Sequence, residues 1–326
     1  MNKLQRKILT WPPVAFLVKK SKTTYPPGFE GVPLYDVIVF FFKQVKRHGL
    51  SERAAAISYN FIMALPPSLL FLFTLIPNLP FMSKRGIKSQ LHGLIFDIIP
   101  SKTYNTEVIN FVDSFIDNSR IGLLSFGLLT SLFFASNAMM GLLRAFNKNN
   151  IGFERRKGVK QRLVALRLTI VIFGLLLGYL VLLSMQGAIL NLLVSNEILR
   201  ELVAYLRWIL IVGLIFLAIA NIYKYAPAVT KKWKLRSPGA LFATLLSIIA
   251  SLGFAYFVNS FGKYNALYGS IGTIMMVMVL VFINSLSLLI GFELNVSIRS
   301  LRAEASIREE EEKKAAIPDP PGLPLK

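Results

Sequence analysis

Residues 268–296 read YGSIGTIMMVMVLVFINSLSLLIGFELNV, and Glu293 carries the only charge among them. A helix crosses a hydrocarbon core about 30 Å thick with about 20 predominantly apolar residues. This stretch is longer than that. Five further segments share its character, at roughly 54–77, 121–143, 163–185, 207–225 and 239–261. The segment at 207–225 is the least clean, since Arg207 opens it and Asn221 lies near its end. The expected fold is all-α: a polytopic membrane protein with six transmembrane helices.

Composition points the same way. Of 326 residues, 54% are apolar and 17% charged, and the mean hydropathy is +0.55. Yet Lys and Arg number 37 against 17 Asp and Glu, a formal charge of +20. Such charge has to be segregated from the apolar runs. Assigned to alternate connections, 29 cations fall on one side of the six spans and 8 on the other. An excess of Lys and Arg marks the cytoplasmic side. Six spans put both termini on one side, and the charge puts that side in the cytoplasm. The net charge is thus mainly a topological signal.

The residue inventory excludes several activities. There is no Cys, hence no disulfide framework, thiolate metal site or cysteine nucleophile. The two His, His48 and His92, are 44 residues apart and form no metallohydrolase motif. No G-x-S-x-G elbow or phosphate-binding G-x-x-x-x-G-K-[ST] loop occurs. No catalytic residue, metal or cofactor is expected, and the chain is not read as an enzyme.

Outside the spans the chain divides simply. Residues 1–32 form a cytoplasmic tail with a Pro/Gly/Lys loop, and Pro12 and Pro13 interrupt the only leader-like stretch, so no cleaved signal peptide is expected. Residues 33–300 form the transmembrane domain. They begin with an amphipathic helix over about 33–48, whose Leu34, Val37, Ile38, Phe41, Phe42 and Val45 share one face. It is too short to span. It lies in the cytoplasmic interface or packs on the bundle. The outer loop, 78–120, predicts two short amphipathic helices, and 301–326 a charged, partly disordered cytoplasmic tail.

Several residues stand out by chemistry. Pro66 and Pro67 fall in the middle of the first span, where each removes a backbone donor, and a kink or break is expected. Broken helices line binding sites in transporters, but packing kinks are the commoner case. Asn60, Ser136, Asn137, Gln186, Asn221, Asn259, Asn284, Ser285 and Ser287 are polar positions that face the bundle interior, as cross-helix hydrogen bonds or as a polar path. Gly174 and Gly178 form a G-x-x-x-G that permits close helix packing. Lys231, Lys232, Lys234 and Arg236, with Trp233 among them, form a basic run that suits anionic head groups. Such a run also suits nucleic acid, but an orientation signal with an interfacial Trp explains it better. Glu293 needs a cation; Arg144 is the first candidate and Arg53 the second. Its role is either a structural ion pair or a coupling group for protons or substrate. It also lies near the expected end of its helix, where the dipole disfavours an acid.

The order of these pieces resembles one family. Ala54-Ala55-Ala56-Ile57-Ser58-Tyr59 is followed by Ala64-Leu65-Pro66-Pro67, then Ala145-Phe146-Asn147 and Glu154-Arg155-Arg156-Lys157. Then come Tyr225-Ala226-Pro227, Pro238-Gly239-Ala240, the run from Tyr264 through Asn265 and Tyr268 to Gly272, and Leu289 to Asn295. This ordered set, over about 35–300, resembles the YihY/BrkB-like family of bacterial inner-membrane proteins, once labelled ribonuclease BN. Ala64 departs from it, since the family tends to have Ser there. The resemblance implies six spans with both ends inside, the inner membrane as location, and a role in transport or lipid handling. Asn147, from one of these pieces, joins Glu293, Arg144 and Arg53 as a candidate intramembrane residue, and Asn265 and Tyr268, at the outer start of the last helix, are candidates for the other mouth of a cavity that reaches Glu293. A non-transporting scaffold is the alternative, and a nuclease the remaining one. The expected partners are membrane lipids with anionic head groups at the cytoplasmic face, and not nucleic acid.

Overall fold

The computed structural model describes residues 12–47, 49–75, 121–147, 158–184, 197–229, 232–260 and 264–315, with isolated positions between 88 and 113. Eight helices run through the described residues. They are α1 (Pro12–Thr23), α2 (Leu34–Arg47), α3 (Leu50–Leu75), α4 (Ile121–Phe146), α5 (Val159–Ser184), α6 (Glu197–Tyr225), α7 (Pro238–Ser260) and α8 (Tyr264–Ala315). No β-strand ladder occurs among the described residues. Apolar composition explains the helices. In hydrocarbon no water can satisfy a free amide, so the backbone must pair within its own segment.

Among the described residues, five helices are long and apolar enough to cross a membrane, over Ser125–Phe146, Val159–Tyr179, Trp208–Tyr225, Pro238–Val258 and Ile274–Glu312. α3 lies outside that set, although it is 26 residues long. The helices α3 to α8 each pack on the next in chain order, and α8 returns to pack on α3, closing a ring. Large apolar side chains cover its outside, among them Phe126, Leu129, Ile209, Leu252 and Tyr256. That is the surface expected of a bundle whose solvent is lipid rather than water.

One end of the bundle holds the packed core. Phe146 of α4 stacks on Phe292 of α8 at 4.1 Å between ring centroids. Tyr223 of α6 meets Phe146 edge-on at 5.9 Å, and Trp233 lies 5.6 Å from Phe292. Ile57, Leu142, Leu168 and Leu289 fill the remaining space. The same end carries Arg53, Arg144, Arg162, Arg167, Lys224 and the loop from Lys232 to Arg236, and is called the basic end below.

Two local expectations change. α3 runs unbroken through Pro66 and Pro67. Each proline deletes one rung, but the turns on either side still bond to themselves, and a full break would free more polar groups than lipid tolerates. Gly174 has open space around its Cα, and a Cβ on Gly178 would meet Leu214 only at an ordinary 3.9 Å, so this G-x-x-x-G draws no helix close. The close approach is elsewhere, between Gly239 of α7 and Gly291 of α8. A Cβ built on Gly291 lies 2.5 Å from the Gly239 carbonyl oxygen and 2.6 Å from Ala243 Cβ.

The amphipathic helix divides its apolar face. Val37 is fully buried, and Leu34 and Val45 pack against the bundle, while Ile38 and Phe42 remain exposed. The loop before it is anchored too: Phe29 and Val32 pack with Val37 and Ile298. The outer-loop helices lie mostly outside the described residues. At the described positions, Asp113 Oδ1 is 3.0 Å from His92 Nε2 and 3.7 Å from Lys88 Nζ.

Candidate functional site

Glu293 is wholly buried, and its Oε1 lies 2.7 Å from Arg53 Nη1. The other guanidinium nitrogen, Nη2, donates to the Ala145 carbonyl near the end of α4. Arg53 therefore ties three helices together. It faces the carboxylate of α8 and the negative end of α4, and both favour a cation. Local preference opposes this placement, because Arg53 sits in the first turns of α3, where the dipole repels it. The interhelical contacts prevail. Arg144, the first candidate, is exposed and does not pair with Glu293. Its neighbour Ala145 supplies the contact instead, through the backbone. The dipole penalty expected for Glu293 does not arise either, since α8 continues to Ala315 and the effect fades within the last turn.

Most polar intramembrane side chains bond back to their own helices. Asn60 donates to Ala56 O, Asn221 to Leu217 O, and Ser287 to Ile283 O. A few reach across. Ser58 Oγ meets Ser285 Oγ at 3.3 Å, Asn284 donates to Ser251 Oγ at 3.1 Å, and Arg162 Nη1 donates to Asn137 Oδ1 at 2.5 Å. Tyr223 donates its hydroxyl to Leu288 O at 2.5 Å. These are isolated bridges between helices rather than one connected row. Gln186 lies outside the described residues, as does the side chain of Asn259.

The other expected site residues scatter. Asn147 is exposed just past α4, where its amide bonds to Arg144 O, and it edges a void of only 10 Å³. Pro66 is exposed and Pro67 half-buried, and neither lines a described cavity. Asn265 and Tyr268 belong to the first turns of α8, and their side chains lie outside the described residues, as does Lys231 altogether. Lys232, Lys234 and Arg236 do converge. They line a cavity of 370 Å³ together with Glu30, Arg299 and Arg302.

Sequence reasoning missed how that cavity is built. Ser237 caps α7, its Oγ 3.3 Å from Ala240 N. Asn295 of α8 accepts from Gly239 N at 2.8 Å and donates to Ser237 Oγ at 3.0 Å. The Gly239–Gly291 approach makes this reach possible. Arg299 and Arg302 follow on α8, three residues apart and so on one face. Their spacing was a readable signal; that they face the 232–236 loop was not.

A ring of long apolar helices, apolar outside and tied together by a buried ion pair, is the architecture of an integral membrane protein. The chain belongs to the family described as Virulence factor BrkB, which it matches over residues 41–316. A relative in Bacillus subtilis, named putative ribonuclease-like protein YfkH, is 30% identical over 78% of this chain and 92% of its own length. A UPF0761 membrane protein of Tolumonas auensis is 25% identical over 82% of this chain and 87% of its own. Another, from Chromohalobacter salexigens, is 30% identical over 76% of this chain and 59% of its own. No solved structure matches the chain.

Proposed function

We propose that this is a bacterial inner-membrane protein of six spans, with both termini in the cytoplasm, that handles anionic lipid at the cytoplasmic leaflet. Transport is the activity class, with no enzymatic turnover, cofactor or nucleic-acid partner. The sixth crossing is α3, whose 26 residues extend about 39 Å.

The observation that carries this reading is the belt at the basic end. The Tyr225 ring closes an apolar span, and three cations surround it: Arg167 at 4.8 Å, Lys224 at 5.3 Å and Lys232 at 5.4 Å. Tyr at the end of a span suits the membrane–water interface, and clustered cations beside it suit anionic head groups. The open edge of α2, with Ile38 and Phe42, adds an apolar surface at the same end. The scaffold reading has one observation of its own. The aromatic core around Phe146 and Phe292 closes the ring at this end with fully buried side chains.

The test compares a labelled anionic lipid with its neutral analogue on the purified protein in mixed micelles. The anionic lipid should associate more strongly, and salt should reduce the difference. Equal association at low salt would overturn the lipid reading. Reconstituted vesicles then separate transport from scaffolding: accelerated movement of the anionic lipid between leaflets supports transport, and an unchanged rate rejects it.

A further inference from the structure

The cavity beside Pro238 is more than part of a basic surface. Its volume, 370 Å³, falls within the range of about 300–1,000 Å³ usual for small-molecule sites. Three separate segments wall it: the loop through Gly28 and Glu30, the loop from Lys232 to Ser237 and the face of α8 from Asn295 to Arg302. Five cations line it, Lys232, Lys234, Arg236, Arg299 and Arg302, against one acid, Glu30. Among the described residues no ion pair engages Lys234, Arg236 or Arg299. Arg302 meets Glu309 only at 3.5 Å on an exposed face. Like charges held together on a concave wall repel one another, and an anion placed among them removes that repulsion.

The walls are held in place independently of any ligand. Gly28 has φ +88, and a Cβ there would lie 2.9 Å from Pro238 Cγ, so the first loop sits directly on α7. Phe29 and Val32 anchor that loop in a small apolar cluster with Ile298. Trp233 is buried against Phe292 and fixes the second loop. The first amides of α7 are already taken by Asn295 and Ser237. The task of binding therefore falls to the side chains, chiefly the two guanidinium groups of Arg236 and Arg299. Arginine forks match phosphate oxygens in pairs, and Lys acts as a point charge beside them.

We infer that this cavity binds a phosphate group carrying more than one negative charge, that is, a phosphomonoester or a diphosphate. Its position gives two sources for that group. Pro238 opens an apolar span, so the cavity lies where a head group meets the hydrocarbon boundary, but it also faces water. This inference rests on the lipid reading for the head-group source and stands without it for a free phosphate compound.

The experiment uses the full chain in detergent and measures the binding of three probes. They are short-chain phosphatidic acid, which ends in a phosphomonoester, phosphatidylglycerol of the same chain length, which carries a diester, and inorganic phosphate. Phosphatidic acid should bind about tenfold more tightly than phosphatidylglycerol, as one added charge-assisted hydrogen bond allows. Arg236→Gln and Arg299→Gln should each lose about tenfold, while Lys160→Gln, exposed on α5 and outside both the cavity and the Tyr225 belt, should change binding less than about twofold. Arg236→Lys keeps the charge but not the fork, and should fall between wild type and Arg236→Gln. Thermal unfolding in detergent confirms that each variant is folded, and Lys234→Gln replaces Arg299→Gln if the latter is not. Inorganic phosphate binding as tightly as phosphatidic acid identifies a free phosphate compound as the ligand, and weaker binding identifies the lipid; both support the site. Equal losses in Arg236→Gln and Lys160→Gln, or no preference for the monoester, overturn it. If the preference vanishes but anionic lipids still outbind neutral ones, the cavity fails and the lipid reading survives.

Discussion

Glu293 and Arg53 form a pair whose members are costly alone and tolerable together. Removing one partner of a buried ion pair costs about 3–5 kcal/mol, because the other charge is left without compensation. Arg53 retains 19% exposure, so the lower figure applies. Arg53→Gln and Glu293→Gln should each lower stability by about 3 kcal/mol, read from unfolding in detergent. The double variant should recover part of the sum, since neither charge is then stranded. Arg144→Gln should cost less than about 0.5 kcal/mol, as an exposed substitution does. If Arg144→Gln proved as damaging as Arg53→Gln, the pairing would be wrong. Glu293 was legible in the sequence because a single charge in a long apolar run demands stabilisation. Its partner was not. Arg53 and Arg144 both lie at the basic end, and which one points inward depends on the rotation of α3 and α4 about their own axes. The third member, the Ala145 carbonyl, is backbone, and side-chain reasoning passes over it.

At the scale of elements, close packing is set by two glycines that share no local motif with each other. Gly239 follows Pro238 at the start of α7, and Gly291 lies near the middle of α8. A methyl group on Gly291 would meet the Gly239 carbonyl, Ala243 and, at 2.7 Å, the Tyr223 hydroxyl. Two of these are held by backbone, so the helices must separate. Gly291→Ala should therefore destabilise by about 1–3 kcal/mol. The separation would also pull Asn295 from Gly239 N, and phosphate binding in the adjoining cavity should weaken with it. Gly174→Ala, in open space, should be neutral or stabilising by up to about 1 kcal/mol, since alanine is the better helix former. The periodic pair at 174 and 178 was visible in the sequence but faces little, whereas 239 and 291 are 52 residues apart and meet only through the fold. The double proline shows the same limit. Its chemistry is local and was read correctly as two lost donors, but the continuity of α3 follows from the surroundings that keep the remaining rungs paired.

For the whole molecule, the closed ring constrains the path of the chain. Consecutive helices joined by short connections alternate in direction, and across the longer stretch between α3 and α4 the Arg53–Ala145 contact joins the start of one to the end of the other, so α8 runs opposite to its neighbour α3. The Arg53–Glu293 pair fits this, because it joins the start of α3 to the far half of α8 at the basic end. What parity leaves open is whether α3 crosses the whole membrane. With six crossings both termini lie on the basic side; with five they lie on opposite sides. The absence of native cysteine makes this measurable, since any introduced thiol is the only one in the chain. Single cysteines at Thr106 and Ser195 should react with an impermeant thiol reagent added outside intact cells. Cysteines at Lys20, Lys157 and Glu311 should react only after the membrane is opened. Labelling of Lys157 from outside would invert the orientation derived from the 29 cations against 8. Labelling at only one of Lys20 and Glu311 would give an odd number of crossings, and α3 would then be a helix that packs on the bundle without spanning it.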